Sequence, residues 1–359
     1  REVLGASEIR FNPELEVYVF DDVRYQTTSN RSFYEVDSRE AIWNTGADER
    51  PNLAFKIPPR DGHYGTPPRD RFFRLRQEIV NALEAAGIKV RYHHHEAGGP
   101  GQAEIELSFD SLLKSADHIQ VAKYMIRNIA VSHGKTATFM PKPLFDEAGS
   151  GMHLHVYPLK GSKSLFYGPG GYGCLNSTAR QFIAGLLKHT PALMAITNPT
   201  TNSYRRFGRG MAAPLSLFFS LGNRSAAVRI PGYARGEEDA RIEYRVPDPS
   251  CNPYLCLAGV VMAGVDGVKK GLSPEEEGFG PYDVDAYRLS DEELSRMKAI
   301  PSSLEDALEA LRVDNDFLRE GGVFDPDFVG VWVGLKLKNE VFAVSVRPHP
   351  YEFYLYYDR

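Results

Sequence analysis

The amino-acid sequence predicts an α+β fold, in which a sheet with polar strand faces lines a charged cavity and is backed by helices. Two patterns predict it. Short segments alternate apolar and polar residues, as half-buried strands do, and longer segments repeat apolar residues at helical spacing. The 359 residues are 42% hydrophobic and 25% charged, which provides enough apolar material for a large core. One large domain or two domains would fit this length.

The first predicted strand, 14–20, alternates so that Glu14 and Glu16 share one face and apolar residues occupy the other. The stretch 39–69 is rich in proline, glycine and charge, which predicts a long loop. A helix is expected next, with Asp70 as its N-cap and Gly87 at its end.

Two further strands, 88–96 and 103–109, are predicted on either side of a glycine turn. A fourth, 151–158, places His153 and His155 on one face. Apolar spacing then predicts helices over 111–133, 176–190 and 252–270, loops and strands over 198–249, and a mainly helical region over 290–340.

The net charge of −5 and the pI near 6.1 do not favour a nucleic-acid or anionic-membrane partner. The chain shows neither an apolar run approaching 18 residues nor a signal peptide at its start, so a soluble, cytoplasmic protein is expected. The cysteines Cys174, Cys251 and Cys256 are too few and too irregularly spaced for a disulfide framework, and packing roles are expected. The start at Arg1, without Met, suggests that a preceding piece is missing.

Carboxylates and one histidine lie among apolar neighbours in the predicted strands. A carboxylate pair at spacing two is also common on a solvated strand face, but an unpaired acid that faces a core is costly and needs a partner. Carboxylates with one imidazole and no thiolate suit Mg²⁺ or Mn²⁺ better than zinc. The residues concerned are Glu14, Glu16, Glu96, Glu104, His153 and Glu243.

The run His93, His94 and His95 looks like a metal cluster. Consecutive strand residues alternate between the two faces, however, and cannot all reach one ion. A structural role is therefore expected for this run.

The segment 205–245 contains arginines but no lysine. Exclusive use of arginine indicates planar, bidentate recognition of phosphate or carboxylate, although structural salt bridges are the alternative for each residue. Acids that hold cations and arginines that hold anions are the two halves of a phosphoryl-transfer site. The absence of GxxxxGK[ST] excludes a P-loop enzyme.

Several long motifs in this order resemble type I, bacterial glutamine synthetase over essentially the whole chain. They are HHHEAGGPGQAE (93–104), HGKTATFMPKP (133–143), GSGMHLH (149–155), NPTTNSYRR (198–206), NRSAAVRIP (223–231), RIEYRVPDPSCNPYLCLAGVVMAGVDG (241–267) and RPHPYEFYLYYD (347–358). The resemblance implies a curved antiparallel sheet that lines a metal funnel, and an ATP-dependent carboxylate–amine ligase of the glutamate–ammonia type. It also implies a homo-oligomer, a double hexameric ring, that acts on glutamate or a related acid, ATP, and ammonia or another amine.

The resemblance further implies site residues and two divalent ions, Mg²⁺ or Mn²⁺, in each active site. Glu16, Glu96 and Glu104 would hold one ion, and Glu14, His153 and Glu243 the other. The remaining roles are Arg206, Arg245 and the backbone of Gly149 for the amino-acid substrate, Arg224 and Arg229 for the phosphates in transfer, and Arg241, His155 and Phe109 for the nucleotide. Arg224 is also expected to contact the substrate.

Four positions depart from the family pattern. Ala212 stands where the family has the flap glutamate that helps take the proton from ammonium, and alanine cannot act as a base. Ala148 replaces an asparagine, Arg91 an acid and Tyr157 a serine near the adenine. The sequence therefore suggests that phosphoryl transfer is retained while amine selection is changed, with a catalytically impaired, structural or regulatory homologue as the alternative.

The whole chain, 1–359, is expected to form one catalytic domain, with a loop and regulatory segment at 271–302 and a helical C-terminal part at 303–359. The resemblance leads us to expect that this chain lacks the N-terminal β-grasp-like domain of the family. Tyr287 resembles a tyrosine that bacterial members present for adenylylation. Tyr282 is the nearby competitor, and an exposed tyrosine without a role is the alternative.

Overall fold

A computed structural model of the chain describes residues 2–46, 52–208 and 213–359. Its strands form one large sheet and one hairpin. In chain order the strands are β1 (Glu8–Phe20), β2 (Asp22–Thr28), β3 (Arg31–Asp37), β4 (Val90–His95), β5 (Gln102–Leu107), β6 (Asp110–Ser111), β7 (Thr136–Thr138), β8 (Met152–Lys160), β9 (Lys163–Ser164), β10 (Ser216–Leu221), β11 (Ala226–Ile230) and β12 (Ile242–Tyr244).

The large sheet has the order β10-β11-β12-β8-β1-β5-β4, and β6, β7 and β9 pair at its margins. All its pairs are antiparallel except β10 with β11, which are parallel, so the sheet is mixed at this edge. The predicted α+β class is confirmed. The central strand β1 runs between β5 and β8, and its residues therefore have cross-strand neighbours on both sides.

Helices cover the apolar face of this sheet. Leu15 and Val17 of β1 belong to the same hydrophobic cluster as Ile119 and Ile126, which lie on one face of a long helix. The helices are α1 (Phe73–Ala85), α2 (Leu112–Ser132), α3 (Ser177–Thr197), α4 (Pro253–Lys270), α5 (Asp291–Ser295), α6 (Leu304–Val313), α7 (Asp316–Arg319), α8 (Phe328–Lys336), α9 (Phe342–Ser345) and α10 (Pro350–Tyr356). Short 3₁₀ turns occur at Tyr172–Cys174, Ser203–Arg206, Ala286–Arg288 and Glu320–Gly322, and a π turn at Leu337–Val341.

The hairpin of β2 and β3 was not predicted from the sequence. Its side chains are mostly exposed, and Tyr25 and Tyr34 stand opposite each other on it. Because both faces are largely exposed, the strands lack the clear alternation that predicts a half-buried strand. Among the described residues, no helix is both long and apolar enough to cross a membrane.

Asp70 is not the N-cap of α1, as the sequence suggested. The cap position is Phe72, and the Asp70 carboxylate instead pairs with the guanidinium of Arg76, with an Oδ1 to Nη1 distance of 2.9 Å. Both side chains are almost fully buried. Bidentate pairing of a buried arginine outweighs a local capping bond here, because an unpaired buried charge would cost more. The described part of 39–69 contains no helix or strand.

We expect Asp70→Ala to destabilise the fold by about 3–5 kcal/mol, because it leaves the Arg76 charge buried without a partner. Glu35→Ala, which breaks the exposed pair with Arg24, should cost less than about 1 kcal/mol. Urea unfolding followed by circular dichroism measures both. Equal losses in the two variants would contradict the assignment of Asp70 as a buried structural partner.

Candidate active site

The register of the sheet brings the predicted acids together on its polar face. On β1, Glu14 lies opposite Glu106 of β5 and opposite His153 of β8, while Glu16 lies opposite Glu104. Directly opposed residues of antiparallel strands project to the same side of a sheet, with Cβ atoms about 4.5–5.5 Å apart. The alternation of β1 therefore places one acid after another beside acids and a histidine of the neighbouring strands.

The potential ligand atoms form compact groups. Two of them match the sets expected from the resemblance: Glu16, Glu96 and Glu104 form one, and Glu14, His153 and Glu243 form the other, with the ligand atoms of each group all within 4.8 Å of one another. Two further groups of this kind are Glu14 with Glu104 and Glu106, and His63 with His94 and Glu96.

The electrostatics of the acids favour bound cations. Burial, reinforced by the charges of Glu16 and Glu104, raises the pKa of Glu96 to about 8. Burial and the neighbouring charges of Glu14 and Glu16 also raise the pKa of Glu104 well above its usual value. One oxygen of Glu96, Oε2, is buried without a hydrogen bond. Carboxylates packed this closely are costly unless a cation neutralises them, and oxygen-rich sets suit Mg²⁺ or Mn²⁺, so the residues fit these ions.

Histidines orient Glu14. Its two oxygens lie 2.9 Å from Nδ1 of His153 and 2.9 Å from Nε2 of His155. Burial opposes ionisation of Glu14, but the hydrogen bonds from these two rings outweigh it and hold the pKa of this carboxyl well below its usual range. Burial, aided by the charge of Arg245, lowers the pKa of His153, which favours the neutral ring that can bind a metal.

Arginines adjoin the acids on the same side of the sheet. Glu243 contacts Arg229, with an Nη1 to Oε2 distance of 2.9 Å, and also pairs with Arg245. Arg206 is buried, and its Nη1 donates to the carbonyl of Val246 at 2.8 Å. The acids that the sequence predicts to hold cations and the arginines that it predicts to hold anions therefore meet at Glu243.

Gly149 lies against Arg206. A Cβ added at Gly149 would approach Cγ of Arg206 to 2.6 Å, so only glycine fits this position. The carbonyl of Gly149 accepts a hydrogen bond from Nε2 of Gln102 at 3.1 Å. The same Nε2 lies 3.4 Å from Oε2 of Glu16. Sequence reasoning missed Gln102, although strand alternation places it on the same face as Glu104.

An aromatic cluster adjoins His155 and contains the residues that are expected to bind the nucleotide. The guanidinium of Arg241 stacks on Phe109 and on Tyr233, at 5.3 Å and 5.2 Å from the ring centres. Phe109 also contacts His155 and Tyr157 edge-on. Aromatic rings and a stacked guanidinium provide flat surfaces on which a nucleobase can stack.

Three of the four departures have local partners. Arg91 forms an ion pair with the buried carboxylate of Glu106, and its Nη1 also lies 3.2 Å from Oδ1 of Asn12. Tyr157 donates its hydroxyl hydrogen bond to the carbonyl of Glu238. Ala148 is buried, and its carbonyl accepts from the hydroxyl of Tyr18 at 2.6 Å. The fourth departure, Ala212, lies outside the described residues.

Tyr287 is half-buried rather than displayed on an open loop. Its hydroxyl donates to the carbonyl of Ala213 at 2.8 Å. Burial raises the pKa of this phenol, although the charges of Arg245 and Arg206 act in the opposite direction. Tyr282, the competitor, is exposed. Adenylylation of either residue stays a prediction.

A family model described as the glutamine synthetase catalytic domain matches residues 3–356. The chain belongs to the glutamine synthetase family. A glutamine synthetase of Frankia alni is 52% identical over 349 residues, which are 97% of this chain and 73% of that protein. One from Mycobacterium bovis is 45% identical over 352 residues, with the same coverage of both chains. The family resemblance of the sequence is thereby confirmed.

Solved structures agree with this assignment to the glutamine synthetase family. The cryo-EM structure of Plasmodium falciparum glutamine synthetase superposes with a TM-score of 0.85 at 28% identity, covering 98% of this chain and 75% of that one. A GmaS complex with ADP superposes with a TM-score of 0.77 at 26% identity, covering 98% and 73%. The fold therefore extends across the family at low sequence identity, while the roles of the individual site residues stay predictions.

We expect the metal-free protein to lose stability as the pH rises from about 4.5 to about 8, because folded Glu96 retains a proton that the unfolded chain releases in this range. Glu96→Gln should flatten this dependence, and saturating Mg²⁺ should remove it. Melting temperatures in EDTA at pH 6 and pH 8.5 give the measurement. The control is Glu84→Gln, at an exposed position of α1. An unchanged pH slope in Glu96→Gln would contradict the proposed electrostatics.

Proposed function

We propose that the chain is an ATP-dependent carboxylate–amine ligase that phosphorylates the γ-carboxylate of glutamate or a related acid. The observation that carries this proposal is the direct contact between the acid groups and the arginines through Glu243. A cavity that neutralises both an anionic phosphoryl donor and an anionic acceptor needs both kinds of residue. Membership of the glutamine synthetase family supports the same reaction class.

In the proposed reaction, Arg206 and Arg245 hold the carboxylates of the amino-acid substrate, and the backbone of Gly149 lies near its ammonium group. Arg206 is suited to this role because its Nη1 is already fixed by the carbonyl of Val246, which limits the entropy lost on binding. Arg224 and Arg229 neutralise the phosphates in transfer. Arg241, Phe109 and His155 line the nucleotide pocket.

Glu16, Glu96 and Glu104 would hold one divalent ion, and Glu14, His153 and Glu243 would hold the other. When bound, such ions screen the repulsion between the two anions and polarise the attacked phosphorus. A γ-carboxylate oxygen of the substrate attacks the γ-phosphorus of ATP, the bond to ADP breaks, and an acyl phosphate results. An amine nitrogen then attacks the acyl carbon, phosphate leaves, and the nitrogen loses a proton to a base.

The base for this last proton is where the chain departs from its family. Alanine at 212 removes negative charge and side-chain volume from the expected ammonium position, which weakens attraction for ammonium and leaves room for a bulkier or neutral amine. We therefore propose an altered amine preference. The second candidate, a catalytically impaired homologue with a structural or regulatory role, is favoured by the same substitution.

We also propose a homo-oligomeric, double hexameric ring, as the resemblance implies. The C-terminal helices support an association role, since they expose many large apolar side chains. These include Val331, Leu335, Phe342, Phe353, Tyr354 and Tyr356.

Release of ADP from ATP with glutamate and a panel of amines tests the ligase reaction. We expect Glu16→Gln to lower kcat/KM by about 100-fold or more, because the metal site loses a charged ligand worth several kcal/mol in the transition state. Glu8→Gln, the same substitution on the same strand outside the acid groups, is the matched control and should leave activity unchanged. Equal activities in the two variants would contradict the metal role of Glu16.

Restoring the acid at 212 tests the amine hypothesis. Relative to the native chain, Ala212→Glu should raise kcat/KM for ammonia by about 100-fold or more, the usual contribution of a positioned base, and should lower it for bulkier amines. Ala212→Gln has similar volume without the charge and separates the two effects. If the native chain prefers ammonia at ordinary rates, the altered-amine proposal fails. If it binds ATP but releases no ADP with any amine, the impaired homologue is the better description.

A further inference from the structure

One group of potential metal ligands differs from the acid groups in its chemistry. His63, His94 and Glu96 offer two imidazoles and one carboxylate, and their ligand atoms all lie within 4.8 Å of one another. Neither His63 nor His94 belongs to the six ligands implied by the resemblance. Two histidines and one carboxylate are a donor set used for zinc and other transition-metal ions.

The backbone holds His63 in place beside the end of β4. The amide of Gly62 donates to the carbonyl of Ala97 at 3.0 Å, and the amide of Tyr64 donates to the carbonyl of His95 at 2.9 Å. A Cβ at Gly62 would lie 2.4 Å from the carbonyl oxygen of Glu96, so glycine permits this close approach. Backbone hydrogen bonds therefore fix the position of this loop on both sides of His63.

The hydrogen bonds around this group leave a ring nitrogen and a carboxylate oxygen available to bind a cation. Nδ1 of His94 lies 3.0 Å from the carbonyl of His95, which can only accept, so this nitrogen donates and the neutral ring keeps a lone pair on Nε2. The ring of Tyr64 packs against His94 at 4.4 Å. Nε2 of His63 is 3.7 Å from Oε2 of Glu96, the buried oxygen without a hydrogen bond. An ion between these atoms would supply the missing partner.

We propose that His63, His94 and Glu96 form a third cation site, which takes Zn²⁺ or a similar transition-metal ion in preference to Mg²⁺. His63 is partly exposed, so the ion can reach the site from solvent. Three protein ligands leave one position of a tetrahedral ion open. Because Glu96 also belongs to the group with Glu16 and Glu104, occupancy of the third site draws a carboxylate away from that group.

The test counts metal on the full chain. After dialysis against Zn²⁺ in excess Mg²⁺, bound zinc is measured by mass spectrometry, with circular dichroism as the check on folding. We expect His63→Ala to hold one zinc ion fewer per chain than the native protein. The matched control is His133→Ala, which removes a histidine paired with a single exposed carboxylate, Glu78, and should leave the count unchanged.

Anomalous diffraction at the zinc edge locates the ion directly and tests the site even if a variant fails to fold. A peak within about 2.3 Å of Nε2 of His63 is expected. Zinc found only at Glu14, Glu16 and their partners, or an equal count in His63→Ala, would overturn the proposal. Neither measurement depends on turnover, so failure here and failure of the ligase proposal are distinguishable.

Discussion

The crowding of carboxylates on the polar face of β1 is the constraint on which the rest of the site depends. Glu14 and Glu16 are both largely buried, and each faces another acid across the β1–β5 pair. Burial, with repulsion from neighbouring carboxylates, raises the pKa values of Glu96 and Glu104, while hydrogen bonds from two imidazoles hold the pKa of Glu14 below its usual range in spite of burial. Such an arrangement is tolerated only where cations or arginines compensate it, and the surrounding strands supply the residues for both.

Glu243 contacts both the candidate cation ligands and the arginines that balance the charge of the acids. It is fully buried on β12, lies in one ligand group with Glu14, and pairs with Arg229 and Arg245. The charge of Arg245 is the largest favourable influence that keeps the pKa of Glu243 below its usual value in spite of burial. A carboxylate in this position couples ion binding to the orientation of the arginines. A bound ion changes the electrostatic field at the arginines, and a movement of the arginines changes the field at the ion.

The departures from the family pattern differ in how the structure accommodates them. Arg91 places a positive charge beside the buried Glu106, so its charge is balanced within the sheet. The hydroxyl of Tyr157 donates a hydrogen bond to a backbone carbonyl, and the carbonyl of Ala148 accepts one from a tyrosine hydroxyl. Ala212 is different in kind, since the residue that it replaces would act on the substrate. The change in chemistry that we propose therefore concerns the amine side of the reaction.

Much of the fold, and which of the candidate ligands lie together, could be predicted from the sequence by itself. Strand alternation was enough to predict that Glu14 shares a face with Glu16, and His153 with His155. Residues two positions apart in a strand project to the same face. Helices α2, α3 and α4 followed from apolar spacing, although α3 continues to Thr197, beyond the predicted end. The long motifs were sufficient to identify the family, which the comparisons confirmed.

Only the tertiary structure decided which residues meet. The capping prediction for Asp70 was wrong because Arg76 offers a stronger, buried partner, which no local pattern reveals. Of the three consecutive histidines, His95 pairs with Glu40 in the core, while His94 lies 3.4 Å from Glu104 beside the acids. His63 reaches the same place from a distant loop through contacts of the backbone. Sequence determines the direction of a side chain within its own strand, whereas the long-range register determines what that side chain touches.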